Sequence, residues 1–160
     1  MSSDYQFRGQ RVSPLAEAQI QNSAIILCEV LGFKPSRSKN KKFDVCFERL
    51  AEYGITLDPV EDRDWSSATH LSIIGHYDPQ TLTIRVPNSK YVEACKGDRT
   101  ALAILFHELG HLVLGHQPSM HFSVMPPTQA EDAEWQADMF AEYALAHLNY
   151  EMRQLTFDFY

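Results

Sequence analysis

The run Ala101-Leu102-Ala103-Ile104-Leu105-Phe106-His107-Glu108-Leu109-Gly110-His111-Leu112-Val113 constrains this chain more than any other stretch. Its apolar residues recur at helical spacing, which predicts a helix from about Asp98 to Gly115, capped by Asp98 or Thr100. A helix this apolar must be buried. It carries two imidazoles and a carboxylate into the interior, and burying them without partners costs several kcal/mol. A buried helix can hold a lone histidine through hydrogen bonds alone. Here His107 and His111 are four residues apart and lie on one face, where both can reach a single metal ion. Glu108 points to the rim of the same site, close enough to take a proton from a water there without being a ligand. This is the mechanical content of the pattern H-E-x-x-H.

A catalytic zinc takes a third protein ligand and keeps one position open. The arrangement with a third histidine six residues past the second, after an intervening glycine, is excluded, because those positions hold Gln117 and Leu114. His116 is displaced from it by one and is expected to be structural or solvent-facing. The stretch Ala130 to Leu145 supplies a better answer. Glu134 and Asp138 are four apart on one face of a helix expected over about 129–148, beside Ala137, Phe140, Ala141 and Leu145. Glu134 is the expected third ligand. Asp138, one turn later, can accept the N–H of a ligating histidine and fix its tautomer. Glu131 competes as a ligand, but an acid at a helix start is also what the helix dipole favours.

The remaining elements predict an α+β single domain over residues 1–160. Residues 1–12 are polar and expected to be loose. Ser13-Pro14 reads as the start of a helix that Gly32 stops. A second helix is expected from about Lys42 to Tyr53, ended by Gly54, and Ile55-Thr56-Leu57 is a short strand candidate. His70–Tyr77 and Thr81–Val86, joined through Asp78-Pro79-Gln80, predict an antiparallel hairpin over about 70–86 that Pro87-Asn88 closes. Residues 116–128 read as a loop.

With 44% apolar and 22% charged residues the chain can build a core. A net charge of −7 argues against direct binding to nucleic acid or an anionic membrane. The basic run Lys39 to Lys42 reads as a solvated loop or helix start. Cys28, Cys46 and Cys95 are odd in number and contain no CxxC, so reduced thiols are expected, with Cys28 and Cys46 in the core. No signal peptide and no membrane span are expected, and the cytoplasm is the expected compartment. Trp65 and the aromatic end Phe157 to Tyr160 are candidates for a partner surface, though packing against the domain is the simpler reading.

The approach Asp98-Arg99-Thr100, the motif His107 to His111 and the second motif Glu134-Trp135-Gln136-Ala137-Asp138-Met139-Phe140-Ala141 together resemble the ImmA/IrrE family of metallopeptidases. The resemblance covers about residues 70–145. It departs from the family pattern at Gln136, where a second glutamate is usual, and at Asp138, where asparagine is usual. The Leu-Met-Pro segment that often follows is absent, and no appended sensor domain is expected. The resemblance implies a zincin-like fold of the gluzincin kind and a zinc-dependent endopeptidase. It also implies a protein substrate, a helix-turn-helix repressor of a phage, a mobile element or a stress regulon.

In that reading His107, His111 and Glu134 hold Zn²⁺ and Glu108 is the general base. His70, His76, Tyr77 and His121 are the candidates for an oxyanion donor. Leu82 and Ile84 could offer a strand edge to an extended substrate. The alternative is a metal-containing binding module that captures a regulatory protein without cutting it. A nucleic-acid-linked protease of the SprT kind fits the acidic balance less well.

Overall fold

The computed structural model describes residues 5–68, 74–117 and 128–153. Within them the chain is mixed α+β. The elements in order are α1 (Glu17–Leu31), α2 (Asp44–Glu48), a 3₁₀ turn (Arg49–Tyr53), β1 (Thr56–Val60) and α3 (Asp62–Ala68). They continue with β2 (His76–Asp78), β3 (Thr83–Pro87), α4 (Asn88–Cys95), α5 (Arg99–Val113), a 3₁₀ turn (Gln129–Glu131) and α6 (Ala133–His147). No helix among the described residues is long and apolar enough to cross a membrane.

α6 packs against both α5 and α1, and one core runs through all three. Leu102, Leu105, Phe106 and Leu109 from α5 meet Phe140, Ala144 and Leu145 from α6, all fully buried. Phe33 stands at the other end of this core, with Phe43, Phe47 and Phe106 ring centroids 5.1–5.4 Å away. Trp65 is buried as well. Cys28 and Cys46 lie in the core and Cys95 beside it, all unbridged, and burial pushes the Cys28 thiol up to about 12.

The sheet has the order β1-β3-β2. β2 and β3 form the expected antiparallel hairpin, with Tyr77 opposite Ile84. Its first arm is described only over His76–Asp78, and the expected strand residues 70–73 lie outside the described residues. β1 runs parallel to β3 and occupies its other side, so Leu82 and Ile84 offer no free edge. Ile84 is fully buried in the central strand, and β1 and β2 are the two edges of the sheet among the described residues. Pro59 is tolerated in β1 because that strand is itself an edge.

Three helix boundaries differ from expectation, each for a local reason. α1 starts at Glu17 with Ala16 as N-cap, not at Ser13-Pro14. Val12 N–H and Leu15 N–H are bonded to the carbonyls of Glu131 and Ala130, which holds this segment extended against the turn before α6. The second helix loosens to a 3₁₀ turn after Glu48 before Gly54 ends it. The expected helix over 129–148 is split at Asp132, whose backbone is extended and which caps α6 by accepting from Glu134 N–H at 2.9 Å. Asp98 is the cap of α5, accepting from Ala101 N–H at 2.9 Å. α3 and α4 were not expected from periodicity; α4 starts where the hairpin was expected simply to close.

Residues 5–12, expected to be loose, are strapped onto the start of α6. Tyr5 Oη and Arg8 N–H donate to Asp132 Oδ2 at 2.6 and 2.9 Å. Arg11 pairs with Glu131 at 2.7 Å, and Ala133 N–H donates to the Gln10 carbonyl. Two acids at a helix start supply the anchors that composition alone did not reveal.

Candidate metal centre

α5 and α6 pack closely where Gly110 of α5 lies against Phe140 of α6. A Cβ at Gly110 would stand 3.1 Å from Phe140, so a glycine lets the helices approach. That approach brings the inner face of α5 onto the first turns of α6. His107 Nε2 lies 2.8 Å from Glu134 Oε2, and His111 Nε2 lies 3.3 Å from Glu134 Oε1. The two Nε2 atoms are 3.1 Å apart. His107, His111 and Glu134 thus form a group able to hold a metal ion, with ligand atoms within 4.8 Å of one another.

The donor set fits a small tetrahedral cation. Ligands at ~2.0–2.1 Å from such an ion stand ~3.3 Å from one another, close to the spacings found here. The outer nitrogens of both rings are already engaged. His107 Nδ1 is 2.7 Å from Asp138 Oδ1, and His111 Nδ1 is 2.8 Å from His116 Nδ1. Both Nε2 atoms are left to face the same point.

The electrostatics match. Burial alone would drive His107 toward the neutral form, but hydrogen bonds to Asp138 and Glu134 outweigh it and lift His107 to about 10. Burial would likewise raise Glu134, yet its hydrogen bonds to His107 and His111 hold it far below the usual carboxylate range. His111 is pushed down, chiefly by burial. The site therefore holds a positive charge tightly, as a proton when no metal is there.

Glu108 stands apart from the three. It is 8% exposed, and burial raises it to about 7, with Glu134 and Asp138 adding to the shift. Gly75, just before β2, passes over it; a Cβ there would come within 2.8 Å of Glu108 Oε1. Together these groups border an open cleft of about 1090 Å³, walled on one side by Gly75, His76 and Tyr77 and floored by α5.

The other sequence candidates fall into place around this cleft. Asp138 holds His107, and its second oxygen pairs with Arg8 Nη1 at 2.8 Å. Glu131 is turned away, bonded to Arg11 and closing the turn at Thr128. His76 is exposed at the mouth. The Tyr77 ring stacks flat on His111, centroids 4.3 Å apart at 11°, and its hydroxyl reaches the His116 carbonyl at 3.4 Å. His70 and His121 lie outside the described residues.

His116 is not solvent-facing. The helix ends at Val113 and Gly115, at φ 69°, turns the chain back, so His116 is 2% exposed behind His111. Its Nε2 is 2.6 Å from Gln136 Oε1. Gln136 and Arg8 were missed. A polar Gln136 inside an apolar helix face was a usable signal, since a buried amide must find partners. Arg8, in a segment without periodicity, carried none.

Comparison with protein-family models, with curated proteins and with solved structures finds no match for this chain.

Proposed function

We propose that this chain is a zinc-dependent endopeptidase of the zincin kind, with His107, His111 and Glu134 as the metal ligands. The observation that carries the reading is Glu108: a buried carboxylate raised to about 7 beside the ligand group, in the same cleft and outside the ligand set. A purely structural metal site needs no such group. Zn²⁺, when bound, lowers the pKa of a coordinated water toward ~7 and polarises a carbonyl.

Every other step falls to the protein. Glu108 takes a proton from the attacking water and returns it to the leaving amine. Asp138 keeps His107 turned toward the site, with Arg8 offsetting its charge. β2, the edge strand beside the cleft, offers backbone groups to an extended peptide. The resemblance to the ImmA/IrrE family extends this to a protein substrate of the helix-turn-helix repressor class.

Glu108→Gln is the test. The reading predicts zinc bound as in the wild type and peptide hydrolysis reduced by at least ~10²-fold. Hydrolysis surviving in the variant would remove Glu108 from the mechanism. Inactivation of a regulator that survives without cleavage would point to the binding module instead.

A further inference from the structure

Gly9 lies on the N-terminal strap. Its backbone is not left-handed, so the chain conformation alone would accept a side chain there. The space would not. A Cβ on Gly9 would stand 2.5 Å from Glu134 Cγ, and 3.2 Å from both Asp132 Oδ1 and the Glu134 backbone nitrogen. Carbon atoms in contact rest ~3.5–4.0 Å apart, so either the strap or the Glu134 side chain would have to retreat by ~1 Å.

The strap is held against such a retreat. Residues on both sides of Gly9 are bonded to the start of α6. Arg8 N–H donates to Asp132 Oδ2 at 2.9 Å, and the Gln10 carbonyl accepts from Ala133 N–H at 3.0 Å. Asp132 is fully buried, and its other oxygen accepts from Glu134 N–H at 2.9 Å. One carboxylate thus holds the strap with one oxygen and the Glu134 backbone with the other. The displacement therefore falls on the Glu134 side chain at Cγ, one bond from its carboxyl carbon.

The magnitude decides what that does. Ligand distances at a metal site hold to within ~0.2 Å, and a shift of ~1 Å at Cγ is several times that tolerance. It acts on the ligand that α6 supplies and leaves His107 and His111, both on α5, where they are. Glu134 is a long acid with 35% of its side chain exposed, so contact with the strap removes rotamers that solvent would otherwise allow.

We infer that Gly9 is a positioning residue for the metal centre: the strap, bare of a side chain at this point, closes on the Glu134 methylenes and holds the carboxylate toward His107 and His111. This deepens the peptidase reading and rests on its metal centre, not on hydrolysis. The strap is then a wall of the site as well as a clasp on α6.

The test compares Gly9→Ala, Glu134→Ala and the double variant in the full chain. Gly9→Ala should bind zinc ~10–100-fold more weakly than the wild type, measured by competition with a chelator. With Co²⁺ in place of zinc, its visible absorption should lose intensity as the four-coordinate geometry is lost. A glycine needed only for packing would lower the thermal midpoint and leave that spectrum alone. The midpoints of the metal-free proteins complete the cycle. The added methyl should lower the midpoint of the wild type and cost little in Glu134→Ala, where the Cγ it meets is gone.

Wild-type zinc affinity and Co²⁺ absorption in Gly9→Ala would overturn the inference and leave the peptidase reading untouched. If Gly9→Ala does not fold, the double variant decides: it should fold as well as Glu134→Ala, and equal failure in both backgrounds would overturn the inference. The predicted zinc loss, with hydrolysis surviving Glu108→Gln, would leave Gly9 in its role and remove the mechanism proposed above. A wild type that binds no metal would overturn both.

Discussion

His107 and Asp138 meet across two helices, with Nδ1 and Oδ1 2.7 Å apart, and the other carboxylate oxygen is held by Arg8 at 2.8 Å. The pair lies at the base of the cleft and points His107 Nε2 at Glu134. Asp138→Ala removes the acceptor and frees the ring. It should lower metal affinity ~10–100-fold while leaving the three ligand side chains in place. Competition against a chelator of known affinity measures this directly, and wild-type affinity in the variant would mean that Asp138 does not orient the ring.

The strap makes a second prediction. Tyr5, Arg8, Gln10 and Arg11 all bond to residues of α6 or the turn before it. Removing residues 1–12 leaves Asp132 and Asp138 without these donors. Hydrogen bonds to charged groups contribute ~1.5–3 kcal/mol each, before the ordering entropy of the strap is deducted. The truncated chain should therefore show a clearly lower thermal midpoint and weaker metal binding. An unchanged midpoint would mean that the segment is as loose as its composition suggests.

Proton linkage supplies a third. His107 is raised to about 10 in the metal-free fold from an ordinary value of 6.5. Its contribution to stability is therefore complete below pH 6.5 and is lost as pH rises through about 10, with a slope of at most ~1.4 kcal/mol per pH unit. Glu108, raised from 4.5 to about 7, acts in the same direction at lower pH: the fold loses stability as that carboxyl ionises. Glu134, depressed, does the opposite: its contribution is complete above its ordinary value of 4.5 and is lost as pH falls from there toward its lowered value. At pH 8, then, metal must displace the proton on His107. Calorimetry in buffers of differing ionisation enthalpy should find about one proton released per ion. Zero release would mean that His107 is already neutral in the free protein.

The parts of the site legible in the sequence are those written in the geometry of a single helix. His107, His111 and the pair Glu134 and Asp138 are each four residues apart, and 3.6-residue periodicity puts each pair on one face whatever the rest of the chain does. The choice of Glu134 over Glu131 followed from the same spacing. What crosses between elements was not legible. His116 reaches His111 only because the chain reverses at Gly115. Arg8 reaches Asp138 across 130 residues of sequence, from a segment with no pattern of its own.

The sheet divides in the same way. The hairpin of β2 and β3 is local and its alternation was readable, whereas the parallel pairing of β1 with β3 joins strands separated by β2 and α3. Nothing in the five residues of β1 announces that partner. It is also why Leu82 and Ile84 looked like an edge.

The most direct test of the account is the metal content of the purified wild-type chain beside Glu134→Ala. Three converging ligands predict about one zinc ion per wild-type chain, lost or greatly weakened when Glu134 is removed. Zinc retained undiminished in the variant, or no tightly held metal in the wild type, would contradict it.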